Sequence, residues 1–161
     1  MCKYGDLMQP DLYQLMKEAL KEAEQASKKG EVPVGAVVAE MDGSVAARAH
    51  NQPISLNDPT AHAEILAMRR AGLFYKNYRL SDTLLVVTVE PCLMCMGAAI
   101  NARITRLVYG AADPKAGAAG SVYNLAADKR LNHKIEVVPG IMEEECRALM
   151  QNFFRMRRAK T

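Results

Sequence analysis

The stretch TLLVVTVEPCLMC, residues 83–95, changes character once. Its first seven residues are almost continuously apolar and partly β-branched, which predicts a strand buried on both faces. Pro91 then stands where a helix can begin, because its missing N–H is one that a helix start leaves unpaired anyway. A buried strand delivered straight into a helix is the repeating unit of a sheet covered by helices, with ligands expected where strand ends feed helix starts. At that helix start Cys92 and Cys95 lie three positions apart, so both project from one face toward a common point.

Working outward, residues 61–71 read as a second helix, with Thr60 at its N-cap and Gly72 past its end. The segment HNQPISLNDPT before it, 50–60, has no periodicity and reads as a polar loop. Residues 11–29 place Leu12, Leu15, Met16, Ala19, Leu20 and Ala23 on one helical face, with Gly30 as the stop. Residues 34–39 and 44–49 predict two strands joined through Asp42-Gly43, a dipeptide that readily supplies the positive φ of a hairpin turn. Downstream, 106–110 predicts a strand, 113–120 a Gly/Ala loop, 135–139 a strand, and 142–158 a last helix burying Cys146, Leu149, Met150 and Phe153. The expectation is an α/β fold of three αβα layers, a five-stranded mixed sheet flanked by helices, in one domain over 1–161.

The 161 residues are 50% hydrophobic and 24% charged, which excludes a disordered or collagen-like chain. No apolar stretch approaches the roughly 18 residues of a membrane-spanning helix, and no signal peptide is apparent, so a cytoplasmic protein with no membrane partner is expected. A chain of this length buries roughly 68–70% of its unfolded surface without disulfides to staple it, and in a reducing compartment cysteines at metal-like spacing favour a metal or catalytic role. The formal charge of +3 is too mild to announce a nucleic-acid partner. Its distribution says more: Arg147, Arg155, Arg157, Arg158 and Lys160 follow one another with no intervening acid.

Cys92-x-x-Cys95 alone reads as a metal-binding pair no more readily than as a redox pair or two small buried residues. His62 changes the balance. His62-Ala63-Glu64 opens the other helix that follows a polar loop, so an imidazole and two thiolates from two helix mouths make a Cys₂His set suited to Zn²⁺. Three protein ligands leave one tetrahedral position for water, whose pKa a catalytic zinc lowers to roughly 7. Glu64 is the candidate base: it can take a proton from that water, deliver it to a ring nitrogen and help a departing amine leave. The alternative makes Glu64 an ordinary first-turn acid favoured by the helix dipole.

The H-A-E of 62–64 together with the P-C-L-M-C of 91–95 is similar to the H-x-E…P-C-x-x-C signature of zinc nucleoside and nucleobase deaminases, the cytidine/deoxycytidylate deaminase superfamily. Within it the chain resembles the bacterial tRNA-specific adenosine deaminases. The likeness is carried by Glu31-Val32-Pro33-Val34-Gly35-Ala36-Val37, Asn51 with Pro53, Asp58-Pro59-Thr60-Ala61-His62-Ala63-Glu64, Lys115-Ala116-Gly117-Ala118-Ala119-Gly120-Ser121 and Phe153-Phe154-Arg155, and runs over about 12–158. The resemblance implies a cytidine-deaminase-like fold and a homodimer that converts adenosine to inosine at the wobble position of a tRNA anticodon stem-loop. It implies His62, Cys92 and Cys95 as ligands of one catalytic Zn²⁺ per subunit, Glu64 as proton shuttle, Asn51 as the base-contacting amide and Asp113 as a loop position near the substrate nucleotide. Hydroxide would add to adenine C6, Glu64 would protonate N1, and ammonia would depart.

Phe153, Phe154 and Arg155, with the basic residues after them, interleave charge and aromatics in a way that can grip RNA through phosphates and stacking, although a basic helix end also suits the macrodipole. Two rival functions share parts of this pattern: a deaminase of free guanine or cytidine, with the same metal and shuttle, and a non-catalytic zinc module that binds nucleic acid, with Cys146 or another side chain closing the fourth position. Cys146 otherwise fits the apolar face of the last helix, and Cys2 falls in a terminus expected to fray. His50 and His133 read as solvated or hydrogen-bonded structure, and Glu143, Glu144 and Glu145 as a helix first turn matched to its dipole.

Overall fold

The computed structural model describes residues 9–160, so Cys2 lies outside the described residues. Helix α1 spans Leu12–Lys28; the Asp11 side chain accepts the Gln14 N–H at 3.0 Å at its start, and Gly30 turns the chain away at φ 76°. Strands β1 (Gly35–Glu40) and β2 (Val45–His50) form the expected hairpin, with Gly43 at φ 94° in its turn. Then come α2 (Pro53–Leu56), α3 (Ala63–Tyr75), β3 (Thr83–Val89), α4 (Leu93–Asn101), β4 (Arg106–Ala111), β5 (Glu136–Val138) and α5 (Glu143–Ala159).

The strands make one five-stranded sheet in the order β2-β1-β3-β4-β5. β1 runs antiparallel to both β2 and β3, whereas β3, β4 and β5 are parallel, so the sheet is mixed as the sequence implied. β3 is central and buried at every position, and its side chains divide by the period of two. Leu85 and Val87 pack with Val38, Leu107, Met68, Met96 and Ile100 under α3 and α4. Leu84 and Val86 pack with Val37, Val108, Leu15, Met16 and Cys146 under α1 and the start of α5. These two apolar layers, one on each sheet face, make the three-layer αβα arrangement, and each fully buried Leu or Val contributes about 1.5–3 kcal/mol relative to exposure.

The structure corrects several boundaries. The loop expected at 50–60 contains α2, a single turn too short to show periodicity, with Pro53 at its start. The N-cap of α3 is His62, not Thr60; Thr60 instead gives its N–H and hydroxyl to the Asp58 carboxylate at 2.8 and 2.7 Å. α3 also runs through Gly72 and stops at Lys76, which adopts the left-handed conformation at φ 53° while Asn77 N–H returns to Gly72 O at 3.0 Å. α4 begins two residues after Pro91, with Cys92 as N-cap. On α5, Cys146 and Phe153 are buried as expected, but Leu149 and Met150 are only half-buried. Among the described residues no helix is long and apolar enough to cross a membrane.

Candidate metal centre

His62 and Cys92 occupy equivalent places: each is the N-cap of its helix, α3 and α4, and neither side chain accepts a capping hydrogen bond. The Ala63 N–H that opens α3 is taken instead by Asn51 Oδ1 at 2.8 Å. Asn51 thereby caps α3 from outside the helix and leaves the imidazole to face the thiols. His62 Nδ1 lies 3.7 Å from Cys92 Sγ and 3.5 Å from Cys95 Sγ, and the three ligand atoms are all within 4.8 Å of one another. Nitrogen and sulfur ligands on one tetrahedral zinc, at about 2.0 and 2.3 Å from it, stand about 3.5 Å apart, so the cluster fits a single cation.

The protonation of the cluster points the same way. Hydrogen bonds from Cys95 and then His62 push the Cys92 thiol down to about 3, while Cys95, which gives that hydrogen bond and is buried, is pushed up. His62 is raised chiefly by its hydrogen bond with Cys92. Cys92 is therefore held toward thiolate while Cys95 keeps its proton, and a cation bound between them would favour the thiolate at both. Glu64, in the first turn of α3, is buried, and desolvation raises its pKa to about 6, so its carboxyl group can hold or release a proton near neutral pH.

Cys146 cannot close this site. Its sulfur sits in the apolar layer beneath α1, whereas Cys95 belongs to the layer beneath α3 and α4 on the other face of the sheet. The two remaining described histidines are structural as expected: His50 bridges Glu22 and Lys29, with its ring nitrogens 2.7 and 3.2 Å from them, and His133 Nε2 is 2.7 Å from Ile104 O.

Asp113 opens the loop after β4; its Oδ1 accepts the Lys115 and Ala116 N–H groups at 3.0 and 3.2 Å. Phe153 is buried on α5, edge-on to the exposed Phe154 with centroids 5.4 Å apart, and Arg157 stands 5.5 Å over its ring. Arg155 is exposed and donates to Asn152 Oδ1. The structure thus joins Asn51 to the helix that carries His62 and Glu64, and leaves Phe153 and Arg155 on a separate element. Sequence reasoning gave no role to two buried acids: Glu31, which accepts backbone N–H groups of α2, and Glu90, which accepts those of the loop after β4. A lone glutamate beside an apolar run has no spacing that marks it.

A family model for MafB19-like deaminases matches residues 11–158. A tRNA-specific adenosine deaminase of Bacillus subtilis strain 168 is 46% identical over 154 residues, 96% of this chain and 94% of the relative. The chain belongs to the tRNA-specific adenosine deaminase family. A family member from Haemophilus influenzae is 44% identical over 89% of this chain and 83% of its own length. A solved structure from work on A-to-I editing by tRNA:A34 deaminases at the wobble position superposes with a TM-score of 0.81 at 43% identity, covering 84% of this chain and 98% of that one. A guanine deaminase of Bacillus subtilis superposes with a TM-score of 0.60 at 37% identity, over 67% of this chain and 69% of its own.

Proposed function

We propose that this chain, as one deaminase domain, hydrolyses adenosine to inosine at the wobble position of a tRNA anticodon. The observation that carries the reading is the His62, Cys92 and Cys95 cluster with the buried Glu64 carboxyl group beside it, in a chain 46% identical to a tRNA-specific adenosine deaminase. His62 Nδ1 and the two thiolates would hold one Zn²⁺ per subunit, and three protein ligands is the count of a catalytic site. Zinc bound there supplies Lewis acidity that lowers the pKa of water to roughly 7.

Glu64 carries the protons. Its carboxylate takes one from the attacking water, passes it to adenine N1, and then assists departure of the C6 amine as ammonia. Asn51, with Oδ1 committed to the Ala63 N–H, has a fixed amide plane and presents its Nδ2 donors to a base. Asp113 borders the nucleotide. At the basic end of α5, Arg155 meets phosphate, and Phe153 sets the position of the Phe154 ring for stacking. An anticodon loop already exposes unstacked bases, so the enzyme need not melt a duplex. The enzyme works in the cytoplasm as a homodimer, the second copy covering the exposed Leu73 and Phe74 at the end of α3 and Tyr78 just after it.

Mass spectrometry of nucleosides from an anticodon stem-loop incubated with the zinc-loaded protein is expected to show inosine at the wobble position. Glu64→Ala is expected to keep zinc and fold but lose turnover by at least about a hundredfold. Likeness to a guanine deaminase makes free guanine the second substrate to assay. Turnover confined to free guanine or cytidine overturns the substrate, and full activity in the Glu64 variant overturns the shuttle.

A further inference from the structure

Glu90 stands between the end of β3 and the first thiol ligand, buried, and neither the metal nor the proton path uses it. Its Oε1 accepts the N–H groups of Ala119 and Ser121, each at 3.0 Å. Its Oε2 accepts the Asp113 N–H at 3.0 Å and the Ser121 hydroxyl. All four donors are neutral. A carboxylate is the side chain that can accept four such bonds at once, since an amide would turn two donors of its own toward them. Enclosing an anion without a cationic partner is costly, and a loop needing only to be closed could be packed with apolar groups instead.

The loop is drawn onto this carboxylate at its opening, middle and end. A Cβ at Gly117 would lie 2.4 Å from Glu90 Cδ, so only glycine lets the backbone pass there. Ala118 N–H donates to Pro91 O at 2.8 Å, and Glu90 N–H to Ala111 O at 2.8 Å. Residues 90 and 91 therefore bind the 111–121 segment immediately before the chain supplies Cys92 to the cluster. We propose that Glu90 is a positioning residue: it holds the Asp113 loop in register with the His62, Cys92 and Cys95 centre, so that a nucleotide bordered by the loop meets the centre in reactive alignment. This rests on the proposed reading that the loop borders the substrate.

Glu90→Gln is isosteric and separates positioning from folding. The Ser121 hydroxyl can rotate to accept from the new amide, but the Asp113 N–H, left facing a donor, cannot. Contacts to the rest of a stem-loop are untouched, so the expected result is a fall in kcat of tenfold or more, KM within threefold, full zinc content, and faster hydrogen exchange at the Asp113 amide. Ser121→Ala, which removes one donor without altering a residue next to the ligands, is expected to lower kcat two- to fivefold in the same pattern, and serves as the test if the Gln variant does not fold. Unchanged kcat in either folded variant overturns the proposal, as does a loss that merely tracks lost zinc or lost folded protein. If the wild type makes no inosine, the substrate reading is what fails, and the same variants are scored on free guanine with the same expectations.

Discussion

Cys146 and the pair Cys92 and Cys95 are the same residue type put to opposite uses by their surroundings. The pair stands at a helix mouth beside an imidazole, and the Cys95 hydrogen bond together with that imidazole supports the charged form of Cys92. Cys146 faces Gly110, whose added Cβ would come within 2.3 Å of its sulfur, so the thiol occupies the space a side chain would fill. Burial pushes this thiol up to about 12. An unfolded cysteine titrates near 8.5, so the folded-state pKa is the raised one: the contribution of the neutral thiol is complete below about pH 8.5 and runs down as pH climbs. The melting temperature of the wild type should therefore fall more steeply between about pH 9 and 11 than that of Cys146→Ala, which should retain stoichiometric zinc and lose about 1 kcal/mol at neutral pH. Zinc lost with that substitution would restore the closed-site reading. Cys146 was legible because helical periodicity placed it among apolar neighbours. Glu90 was not, since what marks it is a loop that returns from more than twenty residues downstream to bond it.

At the scale of elements, the site exists because two helices begin where sheet or loop delivers them, and both beginnings give their N-cap side chain to a shared centre. β3 and α4 could be read directly, since an unbroken apolar run followed by proline has few other meanings. α2 could not: a single turn held from outside, with Glu31 accepting the Ile54 and Ser55 N–H groups at 3.3 and 2.8 Å, has no periodicity to show. The stop of α3 was misplaced because Gly72 satisfies the local rule, while the residue that turns is Lys76. The opposite layer depends on a close approach that also has a residue behind it. An added Cβ at Gly35 would lie 1.9 Å from Ala19 O and 2.5 Å from Ala23 N, backbone atoms of α1 with no room to yield. Gly35→Ala should displace α1 from β1 and destabilise the fold by about 3 kcal/mol, a fall of roughly 6–12 °C in melting temperature for a chain of this size. An unchanged melt would mean that α1 does not lie against β1 so closely.

Across the whole molecule, Leu73, Phe74 and Tyr78 make a cluster of exposed large apolar side chains at the end of α3 and just past it. A groove of about 980 Å³ runs beside α3 and α4, lined by Ile65, Met68, Leu73, Tyr78, Leu80 and Ala98 among others. Leu73 and Tyr78 are 79% and 71% exposed there, and Phe74 next to them is 66% exposed. The proposed second copy would bury these three side chains together with the groove. One end of the groove reaches Ile65, beside Glu64, but Leu73 lies far from the chemistry: it follows His62 by eleven residues, about 16 Å along a helix. A charge placed at Leu73 should thus separate the subunits and spare the metal centre. Leu73→Glu is expected to sediment as the 17.7 kDa chain where the wild type sediments at twice that mass, with zinc content unchanged. Because His62, Cys92 and Cys95, with Glu64 next to them, all come from one chain, the separated subunit should still deaminate, and any deficit should be in KM for the stem-loop if the RNA spans both copies. A wild type that sediments at the mass of one chain would leave the groove without its proposed occupant. A variant that remains dimeric would place the subunit contact on another face.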